Sequence, residues 1–223
     1  MTVTKRIRLP MASLRVKPVR LGSDRLMSIV ALVACIAWLG IASGAVSAGP
    51  LHDAAREGDV GKIAALLAQG ADVNDRDENR ETPLIDAALA GKTDVAVLLI
   101  EAKADIEARN DRGFTALHAA AYSGSLDIAK LLLNHGAEVD ALSMHKITPL
   151  HVAAEENQAA VAELLIARGA QVEAIQEYGF TPLSRATFFQ SAEVMVLLKK
   201  HGAKCQPRAK IGASYVDCLA AGD

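Results

Sequence analysis

Histidine, cysteine and acidic side chains are the groups in this sequence that could hold a metal or carry acid–base chemistry. There are six histidines and three cysteines. No two histidines have the spacing of a zinc-binding HExxH helix, and there is no CxxC or CxxH pair. The adjacent acids Glu155 and Glu156 lack the spacing of a calcium loop, so we expect them to be solvated surface residues. Phosphate loops, nucleophile elbows and dinucleotide fingerprints are also missing. The sequence therefore predicts a protein that is not an enzyme and holds no metal or cofactor.

The composition predicts a folded core, because 51% of the 223 residues are apolar and 22% are charged. The formal net charge of −2 conceals an uneven distribution. Residues 1–48 contain seven basic residues and one acid, which leaves 17 basic and 25 acidic residues, a net charge of −8, in residues 49–223. This acidic part argues against nucleic-acid binding, which needs clustered lysine and arginine.

Residues 1–48 have the pattern of a secretory signal peptide. A basic stretch precedes 23 uncharged residues, Leu26 to Ala48, and small residues end the segment. We expect cleavage after Ala48 and a periplasmic or secreted protein. One alternative is an uncleaved inner-membrane anchor formed by residues 26–48, since this span is long enough to cross a bilayer. Another is acylation at Cys35, because the preceding LVA resembles a lipobox; Met1, Met11 and Met27 all remain candidate starts.

A repeat of 33 residues fills the rest of the chain. Thr82, Thr115, Thr148 and Thr181 are spaced by 33, and each begins a segment such as TPLHVAAEENQ that is followed by a leucine-rich segment. Gly49 stands one period before Thr82. The sequence therefore predicts five repeats, at 49–81, 82–114, 115–147, 148–180 and 181–206, and a C-terminal capping tail at 207–223.

The residue types within each repeat predict two helices. Threonine can cap the first helix, proline suits its first turn, and leucine with paired alanines forms a narrow apolar stripe. The second helix has a wider stripe, such as Ile128, Leu131 and Leu132, which we expect to be buried. Lys103, Asn157 and Gln190 replace the glycine of the other repeats, so we expect strained or slightly rearranged turns there. Arg80 and Lys146 replace the hairpin glycine two positions before the threonine, which leaves the geometry of those two fingers undefined by the sequence.

With these motifs, residues 49–206 resemble the ankyrin repeat family. The resemblance implies an all-α solenoid in which each repeat has a turn, two antiparallel helices and an outward β-hairpin. It also implies that His52, His118 and His151, in the TPLH position, bond locally to the turn. His145, at a hairpin tip, has no such role in the repeat.

The resemblance further implies a scaffold that binds proteins through its concave face and hairpin tips. The side chains at these positions become more apolar toward the C-terminus, which is typical of binding hot spots. Phe188 and Phe189 have an alternative role, packing under the tail. The candidate partner-binding residues are Tyr122, Met144, His145, Glu155, Tyr178, Arg185, Phe188 and Phe189.

The expected protein is a monomeric periplasmic adaptor with an unidentified protein partner. Alternatives are a membrane-anchored adaptor and a neutralising or protective partner of an envelope toxin or enzyme. Cys205 and Cys218 are the two cysteines that remain after signal removal, and an exported chain favours a disulfide between them. The alternative is two separate buried thiols. A disulfide would steady the C-terminal end of the stack.

Overall fold

The computed structural model describes residues 49–207 and Cys218. The predicted signal peptide and most of the predicted tail lie outside this part. The described residues contain ten α-helices in five consecutive pairs. They are α1 Pro50–Glu57, α2 Val60–Ala68, α3 Pro83–Leu89, α4 Thr93–Glu101, α5 Ala116–Ser123, α6 Leu126–Asn134, α7 Pro149–Glu155, α8 Ala159–Ala167, α9 Pro182–Phe188 and α10 Ala192–Lys200.

The first helix of most pairs begins as the sequence predicts. Thr82 and Thr181 precede α3 and α9, and each hydroxyl accepts a hydrogen bond from the backbone N–H three residues on. Proline follows each of these threonines in the first turn, where the missing N–H leaves no hydrogen bond unmade. Threonine and proline together therefore fix where these helices start.

The helices form two layers around a core of leucine and alanine. The first helices α1, α3, α5, α7 and α9 pack side by side, and each also packs against the second helix of its own pair. Leu84, Leu117 and Leu150 are almost fully buried between them. In α6, Ile128 and Leu132 are completely buried, whereas Leu131 is only partly buried, so the prediction that Leu131 belongs to the core is wrong.

The turns without glycine keep the geometry of the glycine turns. Lys103, Asn157 and Gln190 have φ of 69°, 54° and 60°, in the left-handed region that glycine occupies at equivalent turns. Arg80 and Lys146, at 57° and 56°, do the same in the loops between pairs. None of these turns is rearranged. Those at arginine, lysine and glutamine are strained, because a long side chain makes the left-handed conformation costly, whereas asparagine adopts it readily.

The loops that join the pairs, here called fingers, are at 76–81, 109–114, 142–147 and 175–180. No strand occurs in residues 49–207, so the β-hairpins that the resemblance implied are not observed. Each finger is a tight turn, and single backbone hydrogen bonds join consecutive fingers. Their donor N–H groups and acceptor carbonyls are Asp111 to Asn79, Met144 to Arg112 and Glu177 to His145, each at 2.9 Å. One bond per junction is too few for a strand ladder.

Side chains also connect consecutive repeats at a fixed period of 33. At each junction, a polar side chain near the finger accepts a hydrogen bond from a backbone N–H 31 residues later. The acceptors and donors are Asn74 and Asp105, Glu107 and Glu138, Asp140 and Gln171, and Glu173 and Lys204. The fingers are thus held at a regular spacing along the stack.

Candidate functional site

Exposed apolar side chains are concentrated on two adjacent fingers. Leu142 and Met144 on the third finger are 49% and 70% exposed, and Ile175 and Tyr178 on the fourth are 60% and 62% exposed. In residues 49–207 only Val60 and Val196 among the other large apolar side chains are comparably exposed. We call Leu142, Met144, Ile175 and Tyr178 the finger surface.

Polar contacts hold the two fingers of this surface together. The imidazole Nδ1 of His145 lies 2.7 Å from the carboxylate Oε2 of Glu177, and the His145 ring lies 5.7 Å from the Tyr178 ring. The structure therefore brings the predicted residues Met144, His145 and Tyr178 into one area. It also gives His145 a role that sequence reasoning missed, since Glu177 was not among the predicted site residues.

A second cluster of charged and aromatic side chains lies at the C-terminal ends of α7 and α9. Glu155 forms an ion pair with Arg185, and their side chains are only 12% and 15% exposed. The Arg185 guanidinium carbon lies 5.4 Å from the centre of the Phe189 ring, and the Phe188 and Phe189 rings meet edge to face at 5.2 Å. These four predicted residues therefore form one contiguous group.

Glu156 follows Glu155 directly in the sequence. It was expected to be a solvated surface residue, but its side chain is partly buried. Burial raises the pKa of the Glu156 carboxyl, and the side chain is only partly exposed. The ion pair of Glu155 with Arg185 likewise contradicts the expectation of a solvated acidic pair. We call Glu155, Glu156, Arg185, Phe188 and Phe189 the first-helix surface.

Tyr122 lies one repeat before this surface, at an equivalent position on α5. It is partly exposed, and its backbone carbonyl accepts a hydrogen bond from the Gln158 side-chain amide at 3.3 Å. The Ser191 hydroxyl makes the corresponding bond to the Glu155 carbonyl at 3.1 Å. These bonds hold the ends of neighbouring first helices side by side, so Tyr122 extends the first-helix surface toward the third repeat.

The histidines of the TPLH position have two different roles. His118 and His151 are buried and contact the cap threonines Thr115 and Thr148. Each also bonds the backbone carbonyl of the last residue of its own repeat, Ile147 and Phe180 respectively. Burial lowers the pKa of each to about 4, so both imidazoles are neutral at pH 7. The expected bonds to the turn are confirmed for these two residues.

His52 departs from this pattern because Gly49 stands where the other repeats have a cap threonine. Its Nδ1 lies 2.6 Å from Oδ2 of Asp86, a carboxylate that is 1% exposed. Arg56 donates to the other Asp86 oxygen at 2.9 Å and to Asp77 at 3.2 Å. The expected local role of His52 is therefore wrong. The sequence does contain an indication of this contact. Asp86 follows His52 by 34 residues, about one repeat period, which places the two side chains in neighbouring repeats.

The C-terminal end of the last repeat is held by contacts of Cys205, Gln206 and Cys218. Cys205 and Cys218 are joined with an S–S distance of 2.06 Å, and Cys218 is completely buried. Lys199 donates to the Cys218 carbonyl at 3.0 Å. Ser184 occupies the TPLH position and donates to the side-chain oxygen of Gln206, whose amide donates to the Gly179 carbonyl at 2.8 Å. Gln206 thus links α9 to the fourth finger.

The described residues contain neither a metal-binding cluster nor a membrane-spanning helix. No group of three or more histidine, cysteine, aspartate or glutamate side chains in residues 49–207 is arranged to hold a metal ion. Within the same residues, no helix is long and apolar enough to span a membrane. The candidate membrane span at 26–48 lies outside this part of the structure.

Comparison with known proteins decides the family. The family model described as ankyrin repeats (3 copies) matches residues 51–143 and 142–209, which together make up most of the chain. The chain belongs to the ankyrin repeat family. No curated protein matches the sequence. Ankyrin repeats are generally protein–protein interaction modules and typically act without catalysis, so the finger surface and the first-helix surface are candidate binding sites on this ankyrin repeat domain.

Proposed function

We propose that this protein is a monomeric, non-enzymatic adaptor of the bacterial cell envelope, which binds a protein partner through the third to fifth repeats. The observation that carries the proposal is the finger surface, where four large apolar side chains between 49% and 70% exposed lie on neighbouring fingers. Exposed apolar side chains with polar residues at their edge are characteristic of protein interfaces.

The first-helix surface supports the same location. Phe188 and Phe189 are partly exposed and meet edge to face, and Arg185 packs against Phe189. Aromatic and arginine side chains held in place by neighbours contribute strongly to binding, because little conformational entropy is lost when a partner contacts them. The first-helix surface is therefore preorganised for contact.

Two features of the chain support a location in the cell envelope. The basic and apolar pattern of residues 1–48 is that of a secretory signal, and a disulfide such as Cys205–Cys218 persists in an oxidising compartment. N-terminal sequencing of the protein from cells tests this, with Gly49 as the expected first residue. An intact peptide containing Trp38 in the main cellular form would instead support the membrane-anchored alternative.

Crosslinking in the native envelope, followed by mass spectrometry, tests the binding function. A photoreactive amino acid at Tyr178 should capture a defined protein, and the same group at the exposed His201 on the last helix pair provides the control. Met144→Ala with Tyr178→Ala should then weaken binding of the captured protein. Equal capture at both positions, or unchanged binding by the double variant, would refute the proposed location.

A further inference from the structure

Glu156 is an acidic residue whose charge no side chain of residues 49–207 balances. It is the C-cap of α7 and is partly buried, and no side chain in residues 49–207 donates a hydrogen bond to its carboxylate or forms an ion pair with it. The neighbouring Glu155 differs, because Arg185 forms an ion pair with it. A partly buried carboxylate without a counter-charge costs free energy.

The position of Glu156 on the helix adds to this cost. The last turn of α7 contains no basic residue, and the free carbonyl groups at a helix C-terminus carry partial negative charge. Both the helix end and the partial burial therefore disfavour the ionised carboxylate. The same two effects would strengthen its attraction for a cation brought from outside.

Arg185, the basic residue of the first-helix surface, is already engaged. Arg185 forms an ion pair with Glu155 and packs over Phe189, and its side chain is 15% exposed. Phe188 lies against Phe189, and Arg185 connects Phe189 to Glu155, so the two rings provide apolar area on the same surface. The first-helix surface therefore combines partly exposed aromatic rings with a carboxylate, Glu156, that no side chain of residues 49–207 neutralises.

We propose that the first-helix surface binds a protein segment that places a lysine or arginine against Glu156 and apolar side chains against Phe188 and Phe189. This inference rests on the proposed binding function and specifies the chemistry of the partner. Charge complementarity supports it on a larger scale, because residues 49–223 have a net charge of −8 and would attract a basic partner.

Selection from a phage-displayed library of random 12-residue peptides tests the proposal on the purified, oxidised protein. The enriched peptides should share a lysine or arginine beside aromatic or aliphatic residues. Each peptide is then synthesised, and its dissociation constant is measured with the parent protein and with the variants. Glu156→Gln should weaken binding about tenfold, as loss of a partly buried charge pair does.

Glu163→Gln is the matched control, because Glu163 is an exposed glutamate on α8 and should leave binding unchanged. Replacing the basic residue of the peptide by norleucine should weaken binding to the parent but not to Glu156→Gln, which identifies the pair directly. Thermal melting confirms that both variants are folded.

The remaining outcomes separate the inference from the proposed function. Neutral peptides that lose binding with Phe188→Ala but not with Glu156→Gln would overturn the inference and leave the binding function standing. Failure to enrich any peptide, together with failure of the envelope crosslinking, would overturn both. Self-association of the parent that Glu156→Gln abolishes would identify a second copy of the chain as the occupant and would also overturn the inference.

Discussion

His52 and Asp86 form a buried contact between the first two repeats, with 2.6 Å between imidazole Nδ1 and carboxylate Oδ2. Both side chains are at most 1% exposed. Burial lowers the pKa of His52, and Arg56 lowers it further. The hydrogen bond to Asp86 and the charges of Asp86 and Asp77 outweigh these effects, so the pKa of His52 is raised overall.

The raised pKa of His52 predicts a stability change on the alkaline side. Because the folded state binds this proton more tightly, the stabilisation is complete below the unfolded pKa of about 6.5 and is lost as pH rises through the folded pKa. An NMR titration of the His52 ring should have a midpoint above 6.5. Asp86→Asn should lower that midpoint. A parent midpoint below 6.5 would mean that burial dominates over the carboxylate.

His118 and His151 predict the opposite change. Their pKa values are lowered to about 4 by burial, with smaller contributions from Arg109 and Arg185, so the unfolded chain binds these protons more tightly. Their stabilisation is complete above pH 6.5 and is lost as pH falls through 4, by up to about 3 kcal/mol for each residue. Urea unfolding at pH 7 and pH 5 measures the loss. A His118→Gln, His151→Gln variant should be less stable at pH 7 but should show a smaller difference between the two pH values.

The fully buried Leu132 and the partly buried Leu131 form a matched pair for the core. Leu132→Ala should lower the free energy of unfolding by about 2 to 5 kcal/mol, because it leaves a cavity between helices that cannot collapse completely. Leu131→Ala should cost clearly less, since part of that side chain already contacts water. Urea denaturation of both variants measures these free energies of unfolding. Equal decreases for the two variants would contradict the burial assigned to α6.

The sequence predicts the helices of this protein better than its loops. The repeat period identifies both helices of every pair, because threonine, proline and the apolar stripes act within a single repeat. Leu131 lies at the edge of an apolar stripe, and its degree of burial depends on how the next repeat packs against it. The repeat period does not predict this. The hairpins that the resemblance implied are not present in residues 49–207, because each finger reverses direction in a tight turn. Its closing backbone bonds, such as that from the Ser143 N–H to the Ile147 carbonyl at 3.0 Å, do not continue into paired strands.

The candidate site could be predicted only in part. The period identifies which positions lie on the fingers and at the ends of the first helices, and Met144, Tyr178 and Phe188 follow from it. The period alone does not identify which side chains of neighbouring repeats touch each other, because such partners are separated by slightly more or less than 33 residues. The pair His145 and Glu177 is separated by 32 residues, and pairs of this kind are visible in the sequence only after the stacking geometry is known.

The disulfide predicts that reduction acts locally. Closing the loop between Cys205 and Cys218 should stabilise the protein by roughly 3 kcal/mol in the chain-entropy model. Reduction should therefore lower the melting temperature and increase hydrogen exchange in α9 and α10, while α1 to α4 stay protected, because repeats contact only their neighbours. Cys205→Ser with Cys218→Ser should reproduce the effect. Two freely titrating thiols in protein from the oxidising compartment would refute the pairing.

Glu156→Gln should stabilise the unbound protein. Burial raises the pKa of Glu156, so the folded state binds this proton more tightly, and the ionised carboxylate destabilises the fold at pH 7. Its position at the C-terminus of α7 acts in the same direction. The variant should gain a few tenths to about 1 kcal/mol, a small effect because water screens a partly exposed charge.

This gain should depend on pH. It should disappear in acid, where the parent carboxyl is also neutral, so that the two unfolding curves converge below the folded pKa of Glu156. Glu163→Gln, which changes an exposed glutamate, should leave stability almost unaffected at both pH values. Loss of stability in Glu156→Gln at pH 7 would show that the carboxylate has a stabilising role within the domain, and the attraction for an external cation would then lack its basis.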